Sequence, residues 1–337
     1  MKYKLHFIFI MIFISTIFSC KSQNSLVSIG YGVNLTGLER TWEFPEFDLG
    51  DLKKKLLILE NNGVKEIRLP LSFNYHFESD PHFPKKIKRV IAFCSRRGLK
   101  LVLANFDHQL TEENADQQTN KIIDQWLILL DFLPKNAQNV YLEIVNEPTV
   151  SPTTWHRVSN QIISEIRKKN NAISIVVGAS NANSMFELSR MEPYPFENLI
   201  YTFHYYEPYI FTHQGTSWTG DQHATVDIPY PYDERKMPNL SPKSKETAGE
   251  VNFRDYNKTG NLVAVEDKIS QIAAWAKTHG VALWCTEYGV TVNADHDSRV
   301  NYLKDVGQIL TKYAIPSFIW EWEGNFGVKG LIEISSK

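Results

Sequence analysis

Short apolar runs rich in Val, Ile and Leu recur along the 337-residue chain, separated by amphipathic stretches of helical period. Runs that are apolar on both faces are what parallel strands require when helices cover both sides of their sheet. The pattern predicts strands at Ser28–Asn34, Val64–Pro70, Lys100–Phe106 and Asn139–Val145, then at Ser174–Gly178, Leu199–His204, Val281–Thr286 and Ser317–Trp320. The clearest helices of the first half are Asp51–Asn62, Pro84–Arg97, Asn114–Phe132 and Thr153–Asn170. Gly63, Gly98 and Gly280 stand where helices should stop, and Pro84 suits a first helical turn. Eight alternating strand–helix units predict an α/β chain folded as one closed (β/α)8 TIM barrel spanning residues 28–337. An open doubly wound sheet is the competing arrangement, but no G-x-G-x-x-G follows the first strand.

Two irregularities interrupt this pattern. Tyr205 to Gly280 is far longer than one helix needs, and its part from Glu207 to Leu262 is rich in Pro, Tyr, His and Asp. A long loop after the sixth strand is therefore expected, and long loops on such scaffolds are usually functional. Only about a dozen residues follow Gly324, so the last helix is expected to be short or absent.

The first twenty residues read as a targeting segment rather than as part of the fold. Lys2 and Lys4 precede an apolar run from Phe7 to Phe18, which is shorter than the ~20 residues a bilayer-spanning helix needs. The run ends in Phe18-Ser19-Cys20 before polar residues, which resembles a bacterial lipoprotein signal with Cys20 as the lipidated residue. Ile17 stands where that signal usually has Leu, and an ordinary cleaved signal peptide is the alternative. On this reading residues 1–20 are removed, residues 21–27 form a short tether, and the membrane is met only through the lipid. An exported, membrane-anchored lipoprotein follows, or a secreted protein under the alternative.

Composition narrows the partners. A formal charge of -2 with 22% charged residues gives no basis for nucleic acid or anionic lipid as the main partner, and a monomer is expected. Cys94 falls in a helical pattern and Cys285 in a buried strand, so both read as small core residues rather than a disulfide. No C-x-x-C and no H-E-x-x-H occurs, so a zinc site has no support in the sequence. Asp221, His223 and Asp227 have irregular spacing that does not suit a metal, and none is expected.

In a barrel of this kind functional side chains collect at the C-terminal ends of the strands. Read in order, those ends supply Arg68, Asp107-His108, Asn146-Glu147-Pro148, His204 with Tyr206, Glu287, and Trp320 with Trp322. The run Tyr141-Leu-Glu-Ile-Val-Asn-Glu-Pro148 resembles the acid/base motif of the clan of retaining (β/α)8 glycosidases. His204-Tyr205-Tyr206 and Thr286-Glu287-Tyr288-Gly289, each on its proper strand, narrow the resemblance to glycoside hydrolase family 5. It extends from Gly32-Val33-Asn34 to Trp320.

This resemblance implies Glu147 as acid/base, Asn146 as a residue bonding the sugar 2-hydroxyl, and Glu287 as nucleophile. It implies that Arg68 and Tyr206 hold Glu287 ionised and oriented. His204 becomes a hydrogen-bonding partner in the site, and Trp320 the aromatic floor beneath the sugar. It also implies a β-linked glucan or related hemicellulose as substrate, with β-mannan or β-1,3-glucan as alternatives, and no cofactor. The family's third strand usually ends in histidine where Asp107 stands here, and His108 would reach the site only through a local bulge.

Retaining hydrolysis needs two carboxyl groups about 5–5.5 Å apart, one protonated and one ionised. Strands four and seven lie across the barrel mouth, so Glu147 and Glu287 can converge from opposite walls. Arg68 is expected to depress the pKa of Glu287, and the nearby negative charge to raise that of Glu147. Asn146 and Glu147 are adjacent and would both enter the cleft only if the strand end twists. Glu143, a layer deeper on the same face as Glu147, reads as a buried partner for Arg68.

The aromatic residues, 8 Trp, 15 Tyr and 19 Phe, must mostly pack the core, but those on loops would suit sugar rings. Trp320 and Trp322 either stack on sugar or close the barrel. Tyr209, His213, Gln214 and Trp218 either shape subsites beyond the cleavage point or pin the long loop. Asn34, Glu39 and Trp42 are placed on the opposite, non-reducing side. A glycan-binding lipoprotein without catalysis and a metal-dependent barrel hydrolase are the two rival functions.

Overall fold

In the computed structural model, which describes residues 32–133 and 138–331, the eight expected strands form one closed parallel barrel in sequence order. They are β1 (Gly32–Asn34), β2 (Glu66–Leu71), β3 (Lys100–Asn105), β4 (Val140–Glu143), β5 (Ser174–Gly178), β6 (Leu199–Tyr205), β7 (Ala282–Tyr288) and β8 (Ser317–Ile319). β8 closes on β1 through the pairs Gly32↔Phe318 and Val33↔Ile319. The signal segment, Cys20, the tether, Ser28–Tyr31 of the expected first strand and residues 332–337 lie outside the described residues.

Period-two alternation divides each strand between two cores. Outward residues such as Ile67, Leu69, Leu101, Leu103, Leu142, Ile175 and Val177 join the apolar faces of the surrounding helices in the main cluster. Inward residues fill the barrel floor, where Val102, Val176, Ile200 and Phe318 pack with Tyr141 and Trp284. Above that floor the interior turns polar, with Asn34, Arg68, Glu143, Thr202 and Thr286 all buried. A barrel interior that is apolar below and polar above points its chemistry to the C-terminal mouth.

The covering helices follow the sequence pattern closely. Helix Leu49–Asn61 is capped by Asp48, whose carboxylate accepts from the amides of Gly50 and Asp51. Helix Phe83–Arg96 begins at the expected proline, and Ala115–Phe132, Pro152–Lys169, Leu262–His279 and His296–Lys312 complete the long set. Gly63, Gly98 and Gly280 end their helices at φ of +82°, +68° and +64°. The fifth unit departs from the pattern, with only the short turns Ser180–Asn183 and Met185–Leu188 between β5 and β6. No helix follows β8 among the described residues. Cys94 and Cys285 are buried free thiols.

The long excursion after β6 is built of short turns, Tyr209–Thr212, Asp221–His223, Glu234–Lys236, Pro242–Ser244, Ala248–Arg254 and Tyr256–Thr259. Its fixed point is Gln214, fully buried, whose amide donates to the carbonyls of Phe211 and Ile228 and accepts from the Ile228 amide. Gln214 thus pins the loop internally rather than meeting a ligand.

Gly280 offers a clean check on this packing, because a Cβ built there meets nothing within 4 Å while the backbone is left-handed. Gly280→Ala should therefore cost only the conformational penalty of about 1–2 kcal/mol. An unfolding free energy lowered by that amount in chemical denaturation, with the m-value unchanged, is the expected result.

Candidate active site

The mouth of the barrel is organised around Arg68. The residue sits in the middle of β2 rather than at its end, pointing inward, and is fully buried. A guanidinium has five N–H donors and cannot be deprotonated, so each buried donor needs an acceptor. Nε and Nη2 donate to the two oxygens of Glu143 at 2.6 and 2.8 Å. Nη1 donates to Asn34 Oδ1 at 2.8 Å and to Glu287 Oε1 at 2.7 Å, and the remaining Nη2 proton goes to Asn146 Oδ1. All five are used, and the ring of Phe106 lies 5.1 Å from the guanidinium carbon. Burial opposes the charge on Arg68, but Glu143 and Glu287 outweigh it and raise its proton affinity further.

Glu287 reaches this network through an irregularity. β6 and β7 pair Phe203 with Cys285 but His204 with Glu287, so one residue of β7 is extra. This bulge lets Thr286 and Glu287, neighbours in sequence, both face inward. Thr286 Oγ1 meets Thr202 Oγ1 at 2.8 Å, and its carbonyl accepts from Asn34 Nδ2 at 3.0 Å. Glu287 Oε2 accepts from the Tyr206 hydroxyl at 2.7 Å, so donors hold both carboxylate oxygens.

Glu147 enters from the opposite wall. β4 ends at Glu143, and beyond it the chain is no longer constrained to alternate, so Asn146 and Glu147 both turn into the site. Glu147 Oε1 lies 2.7 Å from His204 Nδ1, which is 3.5 Å from Glu287 Oε2. One oxygen of each glutamate and a nitrogen of His204 all lie within 4.8 Å of one another. That closeness fits the retaining arrangement and not the 6.5–9.5 Å of inverting enzymes.

Electrostatics divide the pair. Burial lifts the Glu147 carboxyl above the usual range, with His108 and Arg68 pulling the other way. Burial also lifts Glu287, against His204, Arg68 and the Tyr206 hydrogen bond. The expectation that Arg68 alone would depress Glu287 is thus corrected, because full burial outweighs a cation already shared with Glu143. Yet one guanidinium faces three carboxyls, and Glu147 is the one to which Arg68 donates no hydrogen bond. The donors on Glu287 therefore favour its charged form and leave the proton better placed on Glu147. Burial holds His204 down to about 4, so its imidazole is neutral and can accept from a protonated Glu147.

The same three groups are near enough to hold a metal ion. Both oxygens of Glu287 are already taken by Arg68 and Tyr206, and a guanidinium 2.7 Å away would repel a cation there.

A cleft of about 330 Å³ runs over the pair, lined among others by Trp320, Phe106, His108, Glu39, Trp42 and Trp218. Trp320 stacks on Phe106 at 5.6 Å and 8°. His108 lines the cleft without a bulge in β3. The strand stops at Asn105, and Phe106 and His108 face the cleft while Asp107 turns away to accept from the Asn74 amide. Two expectations are corrected. Trp322 is 3% exposed within the main core and does not line the cleft, because β8 stops at Ile319 and the two-residue period linking it to Trp320 no longer applies. Asn34 is fully buried beneath the site, where it bonds Arg68 and the carbonyls of Thr286 and Ile319, and only Glu39 and Trp42 carry that wall into the cleft. Phe106, Glu321 and Phe326 line the cleft although sequence reasoning passed over them. Phe106 reads as one more apolar strand residue, and no signal distinguishes it.

A parallel barrel whose mouth carries two opposed carboxyls, one of them bonded to a buried arginine, is the arrangement of the barrel glycosidases. Residues 26–326 match the family profile described as Cellulase (glycosyl hydrolase family 5), and the chain belongs to that family. It is 28% identical over 341 residues to Endoglucanase 3 of Fibrobacter succinogenes, covering 91% of this chain and 51% of that protein. The chain thus spans about half the length of that relative. Endoglucanase C of Acetivibrio thermocellus is 26% identical, with 88% and 92% covered. The crystal structure of endoglucanase Cel5A from Thermotoga maritima shares the fold at a TM-score of 0.72 and 21% identity, covering 89% of this chain and 92% of that one.

Tyr206 offers a test of the electrostatic division. Its hydroxyl favours the charged form of Glu287, so Tyr206→Phe should raise that carboxyl's pKa. The acidic limb of the kcat/KM–pH profile should move to higher pH, with activity lost first in mild acid. An unmoved acidic limb would remove Tyr206 from this role.

Proposed function

We propose that the protein is a retaining endo-β-1,4-glucanase that cleaves internal bonds of glucan or a related hemicellulose without a cofactor. The observation that carries this reading is the approach of Glu147 and Glu287 within 4.8 Å, with charge-stabilising donors on Glu287 and a buried carboxyl at Glu147.

In this reading a sugar stacks on Trp320 and presents its anomeric carbon to Glu287, which lines the same cleft. The Glu287 carboxylate attacks that carbon, the glycosidic C–O bond breaks, and Glu147 gives its proton to the departing oxygen. Glu147, now ionised, takes a proton from water, whose oxygen attacks the same carbon from the opposite face and releases Glu287. Two inversions leave the configuration unchanged. Asn146, fixed by Arg68, is placed to bond the sugar 2-hydroxyl. His204 Nδ1, 2.7 Å from Glu147 Oε1, orients that carboxyl toward the departing oxygen. Endo action is supported by a cleft bounded by loops on both sides, with Trp42 from the β1 loop and Trp218 from the β6 loop. The names of the relatives, endoglucanases, agree with it.

Glu287→Gln should lower kcat at least about a thousandfold with the fold intact. Proton NMR of early products should show the β-anomer first. An unchanged rate, or an α-anomer, would overturn the assignment. Tight oligosaccharide binding by the wild type with no product over long incubation would favour a binding protein instead. A panel of β-1,4-glucan, β-mannan and β-1,3-glucan assayed for reducing ends identifies the sugar.

The N-terminal pattern supports export with a lipid anchor on Cys20, leaving a monomeric barrel outside the cytoplasm. Cys20→Ala should release the protein from the membrane fraction of cells expressing the full chain. Unchanged membrane retention would argue against that anchor.

A further inference from the structure

His108 lines the cleft with Glu147, yet it lies past the end of β3, where no strand ladder holds it. Its two neighbours are held instead, and by the same residue. Both oxygens of Asp107 accept from the Asn74 amide, at 3.1 and 3.0 Å. On the other side of His108, Gln109 Oε1 accepts from Asn74 Nδ2 at 2.9 Å. Asn74 thus grips the chain immediately before His108 with its backbone and immediately after it with its side chain.

The grip is itself anchored. Asn74 belongs to helix Phe73–Ser79 and is 3% exposed. Its Oδ1 accepts at 2.9 Å from Gln125 Nε2, which is buried in helix Ala115–Phe132. The Asp107 amide donates to Asn105 Oδ1 at 2.9 Å, which folds the segment back onto the last residue of β3. Ser72 precedes helix Phe73–Ser79 without capping it, so Asp107 supplies from the β3 loop an acceptor that the first turn lacks.

Asp107 stands there against its own preference. Burial lifts its carboxyl to about 6, and Glu78 adds to this, against the Asn74 amide, Lys121 and Ser72. A buried carboxylate costs stability that a neutral residue would not. Asn74, Asp107, Gln109 and Gln125 do not line the cleft, so contact with a glycan does not account for them.

The clamp fixes the one group near Glu147 that has no strand to fix it. Burial raises Glu147, and His108 opposes that rise ahead of Arg68. Arg68 is locked by its own acceptors, His204 lies 2.7 Å from Glu147 on β6, and Glu287 is held by two donors. We infer that Asn74 is a positioning residue for the reaction: by gripping Asp107 and Gln109 it holds His108 at the cleft wall from which that ring acts on Glu147. The inference rests on the glycosidase reading, in which Glu147 is the acid.

Displacing His108 removes a pull that lowers Glu147, so the Glu147 pKa should rise. The basic limb of kcat/KM on cellopentaose, which reports loss of that proton, should then move to higher pH. His108→Gln should move it by about half a pH unit or more. Asn74→Ala, Asp107→Ala and Gln109→Ala should each move it part of the way, and none should move it further in the His108→Gln background. Gln109 is exposed, so its variant tests the grip without burdening the fold. Asp107→Asn keeps an acceptor for the Asn74 amide and should restore the wild-type limb. An unmoved limb in His108→Gln would overturn the inference. So would lowered stability in Asn74→Ala and Gln109→Ala with the limb unmoved, which is the mark of a merely structural clamp, or a further shift in the His108→Gln background. A wild-type protein that releases no reducing ends from cellopentaose would instead refute the function itself.

Discussion

A buried guanidinium cannot shed its charge, and it is stable only where every N–H finds an acceptor in fixed geometry. In this barrel those acceptors are Asn34 from β1, Glu143 and Asn146 from β4 and its end, and Glu287 from β7. Arg68 is therefore the point at which β2 is registered against three other walls of the mouth. If one acceptor moves by an ångström, a buried donor is left bare, at a cost of roughly 1–3 kcal/mol. That penalty keeps Glu287 and Asn146 at fixed positions relative to each other, which is what a reaction sensitive to sub-ångström placement demands.

The same network explains why two glutamates so near one another can differ in function. Glu143 and Glu287 share the positive charge of Arg68, whereas Glu147 answers to a neutral histidine. Burial favours protons on both members of the reactive pair, so the hydrogen bonds decide which one keeps it. The interior resembles a sorting arrangement in which the cation is committed first and the proton occupies what remains.

The barrel was legible in the sequence because its strands are buried on both faces and its helices stop at glycines with left-handed backbones. Glu147, Glu287, His204 and Tyr206 could be placed at strand ends from motif order alone, whereas Arg68 proved to lie in the middle of β2. The bulge in β7 was not legible, because strict alternation would have sent Thr286 and Glu287 to opposite faces. Trp320 and Trp322 look equivalent in sequence, and only the end of β8 at Ile319 separates a cleft residue from a core residue. Asn34 read as a cleft residue because its position was known but not the carbonyls it bridges.

Asn34 also carries a meaning for how the molecule comes into being. Its side chain bridges the carbonyls of Thr286 and Ile319 while its own strand pairs with both β2 and β8. The seam where the first and last strands meet is therefore the floor of the reaction centre. A chain lacking β8 has neither the closing pairs nor Trp320, so one strand completes both the ring and the cleft.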